Sequence, residues 1–484
     1  MRNKTIVEEK AIFEYGVGRG AVQHTTVGDI DDTYLRHDIE GMTDPGEPEV
    51  VRHFTRLSTM NHSLDVGMYP LGSCTMKYNP KVMESAAGEK SFSSVHPAAP
   101  QSMTQGVLEL MYGVEQYLKT MTGMHSFSLQ PAAGAHGELA GMLIAAKYHR
   151  ANKTGRHTIL VPDTAHGTNP ASAAMAGFRV VNIPSGRHGM IEADTLKKII
   201  DGETAGIMLT VPNTLGIFEE QIVAIAGLVH DAGGVVYVDG ANFNALLGKA
   251  RYGDMGVDIV HLNLHKTFAT PHGTGGPGAG AIGVSSALRE FLPVPVVEKR
   301  GHKIVMNYGL KNTIGRMTGF YGNIGILIRA YTYMRMLGVR GAGQVAAIAT
   351  LNANYLRSLL KDRYNLPYAT PTLHEVVFDD TLQNAFGVKT IDIAKRLIDY
   401  GFHPPTIYFP LIVHGAIMIE PTETESKDEI DRFVAAMRAI ADEAQSMPQT
   451  VIGAPQSAPV ARVNEVKAAR EPVLVYRPQE GPRR

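Results

Sequence analysis

The sequence predicts an α/β protein: a large domain built on a mainly parallel sheet, followed by a small C-terminal α/β domain. Three observations carry this prediction. A chain of 484 residues is too long for one ordinary domain. From about 105 to 285, short apolar runs ending in polar or glycine residues alternate with helical periodicity, the pattern of strands buried on both faces and joined by crossover helices. After two apolar helical segments the alternation restarts on a smaller scale, between 375 and 443.

Residues 1–104 are rich in turn formers (Asp44-Pro45-Gly46, Tyr69-Pro70, Asn79-Pro80, His96-Pro97) and read as an extended arm with brief helices. In the large domain, 105–338, strands are expected at Thr158–Val161, Arg179–Ile183, Gly206–Val211, Val235–Val238, Asp258–Leu264 and Gly280–Val284. Helices at Gly137–His149, Pro170–Ala176, Thr195–Ile200 and Ile222–Asp231 separate them. Helical segments at Ile324–Leu337 and Ala346–Leu360 lead into the small domain, 339–447, with strands at Glu375–Phe378 and Ile417–Glu420 and helices at Ile391–Tyr400 and Lys427–Glu443. The tail, 448–484, is rich in Pro, Ala and charge and needs a surface to lie on.

Composition narrows the function classes. With 44% hydrophobic and 19% charged residues the chain can bury a full core. Its 46 Lys and Arg balance 47 Asp and Glu, so it presents no basic field for nucleic acid or an anionic membrane. No stretch approaches the ~18 apolar residues of a membrane span. Met1–Lys10 mixes Arg2, Lys4 and Lys10 with Glu8 and Glu9 and fits no targeting peptide, so the expected location is cytoplasmic. Cys74 is the single cysteine, which excludes an intrachain disulfide or a multi-thiolate metal site.

The chemistry sits at the strand ends. Lys266 follows the apolar run Asp258–Leu264 and His265; it is either a loop lysine reaching solvent or an amine poised to form a Schiff base. Asp239 ends the buried run Val235–Val238, where it either caps the next turn or faces a pyridinium nitrogen. The run Gln130-Pro-Ala-Ala-Gly134-Ala135-His136-Gly137-Glu138 is a plain turn before a helix or a phosphate cradle of helix-terminal amides. His166 in Val161–Pro170 is a structural histidine or a ring lying flat on a cofactor, and Asn213 and Thr214 make a further polar strand end. Two decoys fail on context. Gly278-Ala-Gly280-Ala-Ile-Gly283 reads as a strand and lacks the helix a dinucleotide loop needs. His261, His265 and His272 lack a carboxylate in register for a metal, and His265 reads as packing on or orienting a cofactor.

The order phosphate loop, His166, Asn213, Asp239, Lys266 resembles that of the aspartate-aminotransferase-like enzymes, the fold type I transferases dependent on pyridoxal 5'-phosphate (PLP). That resemblance implies His166 on one face of the ring, Ala241 on the other, Asp239 on its nitrogen and Asn242 near its phenolic oxygen. Longer stretches narrow it: Leu262-Asn-Leu-His-Lys-Thr-Phe268, Pro271-His-Gly-Thr-Gly-Gly-Pro-Gly278, Leu71-Gly-Ser-Cys-Thr-Met-Lys77, Tyr400-Gly-Phe-His-Pro-Pro405 and Glu420-Pro-Thr-Glu-Thr-Glu425. Together they resemble the glycine decarboxylases, the P-proteins of the glycine cleavage system, over about 53–440, and the chain length is that of subunit 2 of the two-subunit form.

The resemblance implies decarboxylation of glycine, transfer of the aminomethyl group to the lipoyl arm of H-protein, and a partner subunit 1, two copies of each. It also makes Ser73, Cys74, Thr75 and Lys77 an active-site loop and sets the Gly273–Gly278 loop near the cofactor. A stand-alone PLP decarboxylase or lyase and a noncatalytic scaffold are the rival readings; Lys266 and Asp239 together argue against the scaffold.

Overall fold

The computed structural model describes residues 9–15, 30–34, 43, 45–96, 99–272 and 278–475. Its packing divides the chain into two units, Met1–Val66 with Pro455–Arg484, and Gly67–Ala454.

The larger unit holds a seven-stranded sheet. Its strands are β1 (Ser126–Ser128), β2 (Thr158–Pro162), β3 (Arg179–Ile183), β4 (Thr204–Thr210), β5 (Val235–Asp239), β6 (Ile259–Asn263) and β7 (Gly280–Val284). The spatial order is β1-β7-β6-β5-β4-β2-β3, with β3, β2, β4, β5 and β6 parallel and β7 antiparallel to both β6 and β1. Strand periodicity sorts the core into two layers. Leu160, Leu209, Val236, Val238, Val260 and Leu262 join the helix Gln105–Thr122 on one face, while Val161, Met208, Tyr237 and Ile259 join the helix Gly134–Ala151 on the other. Both faces are covered, which is why these strands read as continuous apolar runs. A hairpin of β8 (Val296–Arg300) and β9 (Lys303–Asn307) follows.

The expected pair of helices after 324 is one run, Ile324–Leu360, broken at Gly338, whose φ of 57° and ψ of −172° are open to glycine and not to helix. Beyond it lies a three-stranded antiparallel sheet, β10 (Val376–Asp379), β11 (Thr406–Ile407) and β12 (Ala416–Ile419), in the order β10-β12-β11. The helix Lys427–Ser446 covers it, capped by the Ser426 hydroxyl accepting the Glu429 N–H at 3.2 Å. Leu71 bridges to Ile419, so this part of the expected extended arm is bound to the small sheet.

In the smaller unit the expected brief helices include one of 14 residues, Glu47–Met60, started by Pro48 and by Glu49 accepting the Gly46 N–H at 2.8 Å. Glu9 accepts from Arg56 at 2.8 Å and pairs with His53 at 2.9 Å. Among the described residues no helix is long and apolar enough to cross a membrane.

Candidate active site

The carboxyl ends of β4, β5 and β6 and the start of the helix Gly134–Ala151 enclose a cavity of about 200 Å³. Ligands of open parallel sheets bind at such strand ends. Lys266, Asp239, His166, Ala241 and Asn242 line it, as do Gly134, Ala135, Thr214 and Ser73. Nine residues singled out from separate stretches of sequence therefore meet in one place.

Lys266 sits on a single helical turn, Leu264–Thr267, directly after β6, and is 9% exposed. Its Nζ donates to the Ser73 carbonyl at 2.6 Å. Ser73 has a φ of 62°, a conformation costly for a residue with a side chain. Its N–H donates to Glu375 Oε2 at 2.7 Å, which holds the turn.

Asp239 is buried, and its carboxylate accepts the Ala241 N–H at 2.9 Å and Asn169 Nδ2 at 3.1 Å. His261 Nε2 lies 3.4 Å from Oδ1, and the Tyr237 hydroxyl is 2.6 Å from His261 Nδ1. Burial pushes the Asp239 carboxyl up, but His261, the Asn169 and Ala241 hydrogen bonds and Lys266 outweigh it and hold the group below its ordinary value. It is a buried anion. Glu138 behaves oppositely: burial and the Asp239 charge raise it. It accepts from Thr168 Oγ1 at 2.9 Å and from Asn169 Nδ2 at 2.8 Å.

The first-turn amides of the helix Gly134–Ala151 have no intrahelical acceptor, and Gly134 and Ala135 bring them to the cavity wall. A Cβ at Gly134 would stand 2.5 Å from Asn263 Oδ1, so any larger residue there would have to displace that side chain. A Cβ at Gly280 would stand 2.0 Å from the Ala133 carbonyl, so the glycines after 278 serve backbone approach.

Other singled-out residues fall elsewhere. Asn213 does not line the cavity: its amide donates to the Gly189 carbonyl and Glu219, and its Oδ1 accepts the Leu215 and Ile217 N–H groups, so it builds the turn that presents Thr214. His136 Nδ1 accepts the Ala132 N–H at 3.2 Å, bracing the helix start. His265 packs edge-on to His272 at 4.9 Å, and burial followed by the His272 and Lys266 charges lowers it to about 3. Cys74 Sγ lies 3.3 Å from His272 Nε2. Thr75 donates to Glu420 at 2.6 Å, and Lys77, fully buried, donates to Asn244 at 2.8 Å and Glu423 at 2.7 Å. Residues 273–277 lie outside the described residues.

Sequence reasoning missed Glu138, Asn169, His261 as a partner of Asp239, and Glu375. Glu138 stands one helical turn after Gly134 and Asn169 three residues after His166, a spacing that marks shared faces only once the helices are placed.

Comparison with known proteins decides the family. Residues 345–460 match the glycine dehydrogenase C-terminal domain, and 135–297 match the class-V aminotransferases. Over 443 residues, 90% of this chain and 91% of the relative, the sequence is 54% identical to the probable glycine dehydrogenase (decarboxylating) subunit 2 of Chlorobium phaeovibrioides. The chain belongs to the glycine dehydrogenase (decarboxylating) subunit 2 family. The family member of Bacillus licheniformis is 50% identical, with 97% of each chain covered. Among solved structures, a glycine decarboxylase (P-protein) of the glycine cleavage system in inhibitor-bound form superposes with a TM-score of 0.71 at 18% identity, covering 85% of this chain and 93% of that one. A cysteine desulfurase from Escherichia coli reaches 0.61 at 17% identity, covering 84% and 100%. Both share the fold type I architecture.

PLP is the cofactor of this fold and family, and the residues fit it. A lysine amine, a buried anionic carboxylate and a helix N-terminus opened by Gly134 and Ala135 line one cavity.

Proposed function

We propose that this chain binds PLP at Lys266, decarboxylates glycine and passes the aminomethyl group to the lipoyl arm of H-protein, releasing CO2. The observation that carries this is the convergence of Lys266, Asp239 and the Gly134–Ala135 amides on one cavity in a chain of this family. When bound, PLP supplies an electron sink for the bond pair left on the α-carbon as CO2 departs.

The protein residues do the rest. Lys266 would hold the cofactor through its side-chain amine, and that amine, when free, would move a proton. Asp239 would keep the ring nitrogen protonated, because an anion held without water stabilises an N–H⁺ beside it. Gly134 and Ala135 would hold the phosphate, and His166 and Ala241, which line the same cavity, would flank the ring. Asn242 and Thr214 supply polar wall, and Ser73 places the amine.

The relatives are called subunit 2, which supports a subunit 1 partner, here taken as a cytoplasmic heterotetramer with two copies of each. The break at Gly338 supports a boundary between a large domain, 105–338, and a small one, 339–447. The test is exchange of labelled CO2 into glycine with lipoylated H-protein, run with this chain, subunit 1, and both. Exchange is expected only with both; full exchange by this chain alone overturns the assembly, and none with both overturns the function.

A further inference from the structure

Behind the Lys266 wall lies a second carboxylate site that the reaction as described does not use. His374, Glu375 and Glu420 are 0%, 0% and 1% exposed, and their ligating atoms all lie within 4.8 Å of one another. Glu375 precedes β10 and Glu420 follows β12, neighbouring strands of the small sheet, so the strand register makes the pair. Each carboxyl grips the segment 71–77. Glu375 accepts the Ser73 N–H, and Glu420 accepts the Thr75 hydroxyl. Gly72 is pressed against β12, where a Cβ would stand 2.1 Å from Met418 Cγ, and its carbonyl accepts from Thr406 at 2.7 Å. Ser73 in turn offers its carbonyl to Lys266.

Two carboxylates this close and this dry cannot both be ionised. The buried Glu420 Oε2 has no hydrogen-bond partner among the described residues and is an oxygen open to a proton. Resting on the PLP reading of Lys266, we infer that Glu375 and Glu420 share one proton and act as positioning residues, pinning Ser73 and Thr75 so that the Ser73 carbonyl faces the lysine amine. Ionising both would set two like charges against each other and loosen the segment.

The groups facing the pair agree. Burial, then the neighbouring carboxyl, raises Glu375 well above its ordinary value. Burial raises Glu420 to about 7, against the Thr75 hydrogen bond and the Lys266 charge, with Glu423 raising and Lys77 lowering it further. His374 is driven by burial, then by Lys266, to about 3 and brings no cation, while burial keeps the Cys74 thiol protonated.

Cys74, the one cysteine, is a reporter on the segment itself. With subunit 1 present, Glu375→Ala and Glu420→Ala should each lower kcat about tenfold with KM within about threefold, the split expected when placement and not binding is lost. In the cofactor-free chain the same variants should speed maleimide labelling of Cys74 about fivefold at fixed pH, by opening a locally closed segment. Glu420→Gln carries a permanent amide hydrogen in place of the shared proton and should flatten the fall of kcat at the high pH where the pair loses its last proton, above the step near 7.

Wild-type kcat and wild-type Cys74 labelling in both alanine variants, or a wild-type pH profile in Glu420→Gln, overturns the inference. If the alanine variants do not fold, the Glu420→Gln profile alone decides. Borohydride trapping of PLP on Lys266 in every variant separates the two failures: no trapping in wild type removes the PLP reading, whereas trapping with unchanged profiles removes only this one.

Discussion

Asp239 and Glu375 are both buried carboxyls within electrostatic reach of Lys266, yet their acidities are shifted in opposite directions, Asp239 toward the anion and Glu375 toward the protonated acid. Burial pushes each toward the neutral acid, so burial is not the difference. Asp239 ends β5 among donors: the Ala241 N–H, the Asn169 amide and His261. Glu375 has the Ser73 N–H and a distant Asn242 amide at 3.4 Å, and against them stands a second carboxyl, Glu420. Charge in these clusters is set by what each strand register brings alongside. The anion falls at Asp239, the residue proposed to face the cofactor nitrogen, and the protonated pair at the segment beside the lysine.

The largest effect that sharpens this comparison removes the group both clusters face. Lys266→Ala should abolish borohydride-trappable PLP, since Lys266 is the only lysine lining the cavity among the described residues. Peptide mapping after reduction checks it; label on another lysine in wild type removes the assignment.

Next comes the anion itself. Asp239→Asn should retain trapped PLP but lower the decarboxylation rate about 1,000-fold, the size of loss seen when a buried group that stabilises developing charge is neutralised. A near wild-type exchange rate would break the contrast drawn above.

The raised group makes its own prediction about stability. Glu420 binds its proton up to about pH 7 when folded and up to its ordinary 4.5 when unfolded. Between those values the folded state holds the extra proton, so stability falls as pH rises through that window. Glu420→Gln should remove up to about 3 kcal/mol of that fall. Chemical denaturation at pH 5 and pH 8 measures it, and an unchanged difference between the two would place Glu420 outside the protonated pair.

The smallest effect tests a partner of Asp239. Asn169→Ala removes one hydrogen bond to the carboxylate and should lower kcat about tenfold. The Asp239 carboxyl then rises toward its ordinary value, so the acid limb of the kcat profile should move to higher pH. An acid limb that stays in place would show that His261 and the Ala241 N–H suffice.

The large domain was legible because its signals are local. Arg179–Ile183, Ile222–Asp231 and Gly280–Val284 match their expected bounds, since apolar runs between turn formers mark buried strands and helices without knowledge of their neighbours. β1, with three residues, and β11, with two, were missed because so few positions show no period. The hairpin β8–β9 was missed too: Val296–Arg300 ends in charged, outward residues that blur the alternation.

The amino-acid sequence by itself determined which residues carry reactive chemistry: a lysine after one apolar run, an aspartate at the end of another, and small residues before a helix, each recognisable from its immediate neighbours. Only the tertiary structure decided what those residues face. Asn213 looked like a cavity residue and proved to be a turn builder, because its four hydrogen bonds reach to residues 189, 215, 217 and 219. Glu138, Asn169 and His261 acquire meaning only when a helix is laid on β5 and β6. Glu375 and Glu420 lie 45 positions apart in the chain and become neighbours through the pairing of β10 with β12. Protonation depends on distances through space, and those are set by register and packing between segments that no local pattern records.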